Sequence, residues 1–335
     1  MGGEFRVAVV GATGMVGMAM REILEERDFP VSELRLLASE RSRGRRLPFR
    51  GEEVEVQVLG EDSFRGVDLA LFSAGAEISR RFSPLAAEAG ALVVDNSSAF
   101  RMEEDVPLVV PEVNPDDAFR HRGIIANPNC STIQMVLVLK PLHDRSPLRR
   151  VVASTYQSVS GTGKDAVEEL RGQTADVLRE KEAAPRVYPH PIAFNCIPHI
   201  DAFFPGGHTR EELKMVNETR KIMGIHDLPV CATAVRVPVF ISHSESINAE
   251  FEEAIDPEEA RRILSAAPGV EVEDDPESNL YPLALNAAGK DACYVGRIRE
   301  DTSCPRALNL WVVCDNLRKG AALNAVQIAE LVLET

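Results

Sequence analysis

The chain has 335 residues, long for a single core, so two domains are expected. Hydrophobic residues make up 44% of it, an ordinary globular fraction that excludes disordered and fibrous classes. A formal charge of −15 argues against nucleic acid as a partner, since phosphate backbones need a basic face, yet a few local arginines can still hold a small anion. No apolar run reaches the ~18 residues of a membrane span. The first residues lack the basic-then-apolar pattern of a secretory signal, so a cytoplasmic protein is expected. The six cysteines (Cys130, Cys196, Cys231, Cys293, Cys304 and Cys314) contain no CxxC pair, so they are expected as free thiols, with no metal.

The opening reads as strand, glycine turn and helix. The apolar run over residues 5–10 suits a buried parallel strand, and Gly11-Ala12-Thr13-Gly14-Met15-Val16-Gly17 follows at once, opening an amphipathic helix to about Arg27. The GxxGxxG spacing lets backbone N–H groups and a helix N-terminus approach a pyrophosphate. The second strand, over 34–38, should end where an adenosine ribose sits. There Ser39 and Glu40 precede four arginines, Arg41, Arg43, Arg45 and Arg46, in an otherwise acidic chain. Arg41 with Ser39 or Ser42 suits a 2′-phosphate, so NADP is expected over NAD; the competing reading is a solvated charged loop.

Further strand-like runs come at 68–72, 91–95, 107–110 and 123–126, with helical stretches near 79–89 and 131–142. Such alternation implies a doubly wound parallel sheet. Ser73-Ala74-Gly75 lies at a strand's C-terminal end and is a second candidate cofactor turn.

Asn127-Pro128-Asn129-Cys130-Ser131-Thr132 links a short strand to a helix and puts Cys130 at or beside its N-terminus. The helix dipole and free N–H groups there favour a thiolate and can stabilise an oxyanion. Cys130 is therefore the candidate nucleophile, against the plainer reading of a buried structural cysteine; the other five are expected to be structural.

From about residue 147 longer strands take over, at 150–158, 229–239, 246–254, 292–299 and 307–314, with helices at 165–182 and 211–223. This suits a mixed or antiparallel sheet with helices on one face, and a last helix over 317–333 is expected to pack back on the cofactor domain. Gln157 precedes the glycine-bearing turn Ser158-Val159-Ser160-Gly161-Thr162-Gly163, which could face a nicotinamide. Arg236 sits in an apolar strand and needs an anionic partner, either an internal glutamate or a substrate carboxylate. His243, seven residues on, is a candidate proton carrier.

Taken together, these segments resemble the aspartate-semialdehyde dehydrogenase family over nearly the whole chain. The matching stretches are 11–17, 73–75, Asp95 to Arg101, Val110 to Asn114, 127–132, 157–163, 194–203, 211–223, 236–246 and 315–330. The resemblance implies an α/β protein: a Rossmann-like dinucleotide-binding domain over 1–133, with the segment 315–335 packed back on it, and an α+β catalytic and dimerisation domain over 134–314. It implies Cys130 as acyl-thioester nucleophile, His243 as acid/base and Gln157 as the residue orienting the carbonyl. Arg236 would bind the α-carboxylate, Glu211 the α-ammonium, and Arg101 and Lys214 the phosphate, with Asn129 also at the substrate. Gly11, Thr13, Gly14, Met15, Val16, Ser39, Arg41, Ser42, Ser73, Gly75, Ser160, Gly161 and Asn316 would contact NADP.

The implied reaction is the NADPH-dependent reduction of L-aspartyl 4-phosphate to L-aspartate 4-semialdehyde with release of phosphate, by a homodimer or homotetramer. It serves biosynthesis of lysine and diaminopimelate, threonine, methionine and isoleucine. Thr162 departs from the alanine frequent in the family, and residues 171–195, with Tyr188-Pro189-His190-Pro191, are assigned no chemistry beyond surface or dimer contact. The rival readings are an N-acetylglutamyl-phosphate reductase, whose substrate lacks the free ammonium that Glu211 would hold, and an inactive nucleotide-binding paralogue, against which intact Cys130, Gln157, Arg236 and His243 argue.

Overall fold

In the computed structural model, which describes residues 3–333, the chain divides into two compact units. One runs to Asn129 and resumes at Ala321; the other spans Cys130–Gly320. The last two residues of the expected C-terminal segment, and the first two of the chain, lie outside the described residues.

The first unit holds β1 (Phe5–Val10), β2 (Val31–Ala38), β3 (Arg46–Phe49), β4 (Glu52–Val58), β5 (Leu69–Phe72), β6 (Leu92–Asp95) and β7 (Ile124–Ala126). Their order is β3-β4-β2-β1-β5-β6-β7, parallel throughout except for the β3–β4 hairpin. The central strand β1 shows why its sequence is apolar without alternation. Val7 and Val9 face a layer built by α1 (Met15–Glu26) and the C-terminal helix Leu323–Leu333, while Ala8 and Val10 face the layer of α2 (Ala76–Glu88). Both faces of the sheet are thus removed from water, and each buried valine contributes about 1.5–3 kcal/mol.

Two expectations fail here for local reasons. Residues 107–110 form no strand: Leu108 makes one bridge to Ala126, and the Asn114 side chain accepts from the Val110 N–H and donates to the Leu108 carbonyl. A side-chain amide thus supplies what a strand neighbour would have. The last helix is not continuous from 317; a π-turn over Arg318–Ala322 precedes it.

The second unit holds β8 (Leu148–Gln157), β9 (Val230–Arg236), β10 (His243–Phe251), β11 (Val270–Val272), β12 (Cys293–Glu300) and β13 (Ala307–Cys314) in one sheet, ordered β11-β12-β13-β10-β8-β9. The four inner strands are antiparallel, and β11 and β9 join the edges in parallel, so the sheet is mixed. Along β10, residues 243, 245, 247, 249 and 251 are buried while 246, 248 and 250 are half-buried, the period of a strand with one covered face. The unit's helices include α3 (Cys130–Arg145), α4 (Lys164–Val177), α5 (Arg210–Met223) and α6 (Pro257–Ser265). Helix α4 ends five residues earlier than expected, because Glu180 turns left-handed at φ 57° and the Lys181 N–H returns to the Asp176 carbonyl.

Candidate active site

In the first unit the cofactor-type turn is built mainly from backbone. Gly11 takes φ 86°, and a Cβ there would lie 2.9 Å from the Ser73 carbonyl carbon, so the two turns after β1 and β5 touch. A Cβ on Gly17 would sit 2.2 Å from the Gly11 carbonyl oxygen, which requires glycine at the third position too. Helix α1 begins at Met15 from an N-cap glycine, Gly14, with no capping side chain and no acidic residue in its first turn. Helix α2 also starts from a glycine N-cap, Gly75, with no capping side chain, although Glu77 lies in its first turn. Both ends therefore keep N–H groups available to an anion. The Thr13 hydroxyl lies 3.1 Å from that of Ser42, tying the glycine turn to the end of β2.

Beside it, Ser39 and Arg41 are exposed; Arg43 is held by Glu40 at 3.3 Å, whereas Arg41 makes no ion pair among the described residues. These features fit a dinucleotide-binding turn. Elsewhere in this unit Arg101 is buried, donating to the carbonyls of Asn127 (2.9 Å) and Asn96 (2.8 Å), and Asn129 is buried at the unit's end.

The second unit gathers the predicted chemistry on one cross-strand row. Cys293 faces Cys314, Cys314 faces His243, the register of β10 on β8 sets His243 opposite Gln157, and Gln157 faces Arg236. Residues directly opposite one another point to the same side of a sheet. All five are buried, Arg236 the most open at 4%. Cys130 is the first residue of α3 and is partly exposed. Gly320, within the π-turn, packs against it: a Cβ there would lie 3.1 Å from the Cys130 Cβ, which favours glycine at this position.

His243 is tightly held. The Ser158 backbone N–H donates to Nδ1 at 3.1 Å, which assigns the ring proton to Nε2. The Ser158 hydroxyl lies 3.1 Å from the same nitrogen. Burial first, and the Arg236 charge second, push the imidazole pKa down to about 3, so the ring is neutral at physiological pH. Asn316 Oδ1 accepts from the Ser158 hydroxyl (3.1 Å), the Ser160 hydroxyl (3.0 Å) and the Ser242 N–H (2.9 Å), locking the turn that carries the histidine's partners. Gly161 packs against both side chains: a Cβ would meet His243 Nε2 at 3.1 Å and an Arg236 nitrogen at 3.2 Å.

Arg236 donates to the Ser158 carbonyl at 2.6 Å and makes no ion pair among the described residues. No internal glutamate pairs with it among the described residues. The Tyr188 ring also lies near it, 5.9 Å from the guanidinium, and its hydroxyl donates to Thr162 at 2.9 Å. The sequence offered no signal for Tyr188 beyond an aromatic among prolines. Gln157 donates to Glu211 at 3.1 Å, and Lys214 reaches both Glu211 (3.2 Å) and Asp201 (3.0 Å). Burial works to raise the Asp201 carboxyl, but the bond from Lys214 and the Ala202 N–H outweigh it, and the net direction is down. One helical turn of α5 thus presents an acid and a base together, from a start fixed by the Thr209–Glu212 capping box.

Comparison with known proteins gives the arrangement its place. Residues 6–121 match the family described as "Semialdehyde dehydrogenase, NAD binding domain", and 139–319 match "Semialdehyde dehydrogenase, dimerisation domain". An aspartate-semialdehyde dehydrogenase of Aquifex aeolicus is 56% identical over 334 residues, covering 98% of each chain, and that of Bacillus subtilis is 51% identical over 338 residues, again 98% of each. The crystal structure of aspartate semialdehyde dehydrogenase II of Vibrio cholerae complexed with ASA superposes with a TM-score of 0.96 at 50% identity, over 99% of this chain and 98% of that one. The Candida albicans enzyme, solved with NADP, gives 0.76 at 26% identity over 98% of both. The chain therefore belongs to the aspartate-semialdehyde dehydrogenase family of oxidoreductases, with a nicotinamide-dinucleotide-binding domain and a dimerisation domain.

Proposed function

We propose that the enzyme reduces L-aspartyl 4-phosphate to L-aspartate 4-semialdehyde through a thioester on Cys130, with NADPH as reductant. The observation that carries this reading is Arg236: a buried guanidinium, without a carboxylate of its own, on the row of His243 and Gln157. A buried charge left unpaired is costly, so its natural partner is an anion brought by the substrate. Glu211 suits the α-ammonium, and Lys214 beside it, with Arg101, suits the phosphate.

In this mechanism the Cys130 sulfur attacks the acyl carbon, the carbon–oxygen bond to phosphate breaks, and phosphate leaves with the electron pair. N–H groups of the first turn of α3 stabilise the oxyanion formed on the way. A bound nicotinamide would supply the hydride for the acyl carbon. The oxyanion left by hydride addition takes the Nε2 proton of His243 to become a hydroxyl, and Nε2 takes that proton back as the carbon–sulfur bond breaks, the aldehyde departs and Cys130 leaves as thiolate. In the resting network Nε2 bears this proton, because the Ser158 N–H holds Nδ1 as an acceptor. Arg41, exposed and without an ion pair, supports NADP over NAD, with Ser39 and Ser42 alongside. The dimerisation domain supports an oligomer, and the half-buried face of β8, β10 and β13, where Tyr156 and Trp311 rings lie 5.5 Å apart, suits a homodimer or homotetramer. The setting is the cytoplasmic synthesis of lysine and diaminopimelate, threonine, methionine and isoleucine.

The test is a phosphate-dependent oxidation assay with NADP, run on aspartate semialdehyde beside N-acetylglutamate semialdehyde. Turnover confined to the first is expected. Preference for the acetylated aldehyde would reject the roles given to Glu211 and Arg236.

A further inference from the structure

Beneath the nucleophile lies a polar cluster that the reaction does not use. Glu245 is two residues from His243 on β10 and so shares its buried face. It is fully buried, and neither carboxyl oxygen has a hydrogen-bond partner among the described residues. Its strand neighbours are neutral, Thr155 on β8 and Val312 on β13. On the helix side the Ser131 and Gln134 side chains approach the carboxyl without closing an ordinary hydrogen bond to it. Gln134 is also fully buried, with both amide atoms unpartnered. Ser131 directly follows Cys130, and Gln134 lies one turn on.

Four buried polar atoms in two adjacent groups thus lack partners, which protein interiors seldom tolerate. A carboxylic acid and a primary amide can satisfy one another through two reciprocal bonds, acid O–H to amide oxygen and amide N–H to acid carbonyl. Only the protonated acid can make both. An ionised carboxylate here would have no cation to meet and would set a negative charge beneath the helix end that should favour the thiolate.

We propose that Glu245 is a positioning residue that works as a neutral acid, pairing with the Gln134 amide to hold the first turn of α3 and keep negative charge away from Cys130. Of the ionisable groups on the packed elements, Glu211 on α5 acts on its charge and no cation does among the described residues; His243 shares its strand and face, Cys130 opens α3, and Cys314, Cys293 and Arg236 lie on the cross-strand row of His243. Burial first, opposed by Gln134 and Ser131 and aided by Glu211, pushes the carboxyl up to about 8. The acid is thus mostly protonated at neutral pH and ionises just above it. This inference rests on Cys130 being the nucleophile, but two of its readouts need no turnover.

The experiment compares wild type with Glu245→Gln, which keeps the donor–acceptor pair in a group that cannot ionise, and Glu245→Ala, which removes it. Three things are measured from pH 6 to 10: kcat and KM, the rate of iodoacetamide alkylation of Cys130, and the infrared carbonyl band of a protonated carboxylic acid. At pH 7, Glu245→Gln should stay within about threefold of wild-type kcat, while Glu245→Ala should lose roughly tenfold in kcat with KM little changed, the mark of a displaced reacting group. The alkylation profile of wild type should show a second inflection near the ionisation of the acid, absent from Glu245→Gln. The infrared band should be present in wild type at pH 7, fade above pH 8 and be missing from both variants. A Glu245→Gln profile matching wild type through the alkaline range would overturn the proposal. So would a wild-type protein without the band at pH 7, whether or not the variants fold. An inactive Cys130→Ser protein with unchanged infrared titration would separate failure of this inference from failure of the thioester reading.

Discussion

The cofactor turn of the first unit and the reactive row of the second solve binding in opposite ways. The turn is mostly backbone: Gly11 and Gly17 leave room that any side chain would fill, and two uncapped helix starts keep N–H groups available. The row is mostly side chain: His243, Gln157 and Arg236 come from three strands and are brought level by register. A backbone site is specified by residues adjacent in sequence and tolerates change in what surrounds it. A side-chain site depends on strand alignment across nearly a hundred residues and fails when any one member is changed.

The largest effect should come from the nucleophile. Cys130→Ser should lower kcat by at least about 10⁴-fold, since a hydroxyl without a strong base is a poor nucleophile. NADP affinity, set in the other unit, should stay within a factor of about two. Residual turnover above that of contaminating wild type would remove Cys130 from its role.

Gly17→Ala sharpens the contrast, because it adds one methyl group to backbone. The new Cβ would lie 2.2 Å from the Gly11 oxygen, so the turn must move. Binding of both NADPH and NADH should weaken by about a hundredfold, a loss of roughly 2.7 kcal/mol. An unchanged affinity, read by fluorescence titration, would show that the turn does not touch the dinucleotide.

Arg41→Ala should have a smaller and more selective effect. Loss of a charge-assisted contact costs about 1.5–3 kcal/mol, or one to two decades in NADPH affinity, and NADH should hardly notice. Equal losses for the two cofactors would return the arginine loop to the status of a solvated surface.

How much of this was legible in the sequence follows the same divide. The glycine turn, β1 and the helix after it were plain because the spacing is local. Cys130 was visible for the same reason: Asn127-Pro128-Asn129 announces a turn and an apolar helix follows. Arg236 announced itself as a charge in an apolar strand, but its lack of an internal partner is a matter of tertiary structure. The β3–β4 hairpin escaped notice because its outer positions are charged and read as loop. Tyr188 was missed because its segment has no period at all; only the fold brings its ring to the guanidinium. Glu245 falls just before the strand expected over 246–254; β10 starts earlier, at His243, and only the fold brings the Gln134 side chain to its carboxyl.

The most direct test of the account is Arg236→Lys. Lysine keeps the charge but loses the planar fork that pairs with a carboxylate through two bonds, so the acyl carbon is placed less well. The variant should melt as wild type does and lose about ten- to a hundredfold in kcat/KM for aspartate semialdehyde, with kcat falling as well. An analogue lacking the α-carboxylate should be a poor substrate for both proteins and barely distinguish them. Steady-state kinetics on both substrates beside a thermal melt decides the matter: a destabilised variant with unchanged kcat/KM would contradict the assignment of Arg236 to the substrate carboxylate.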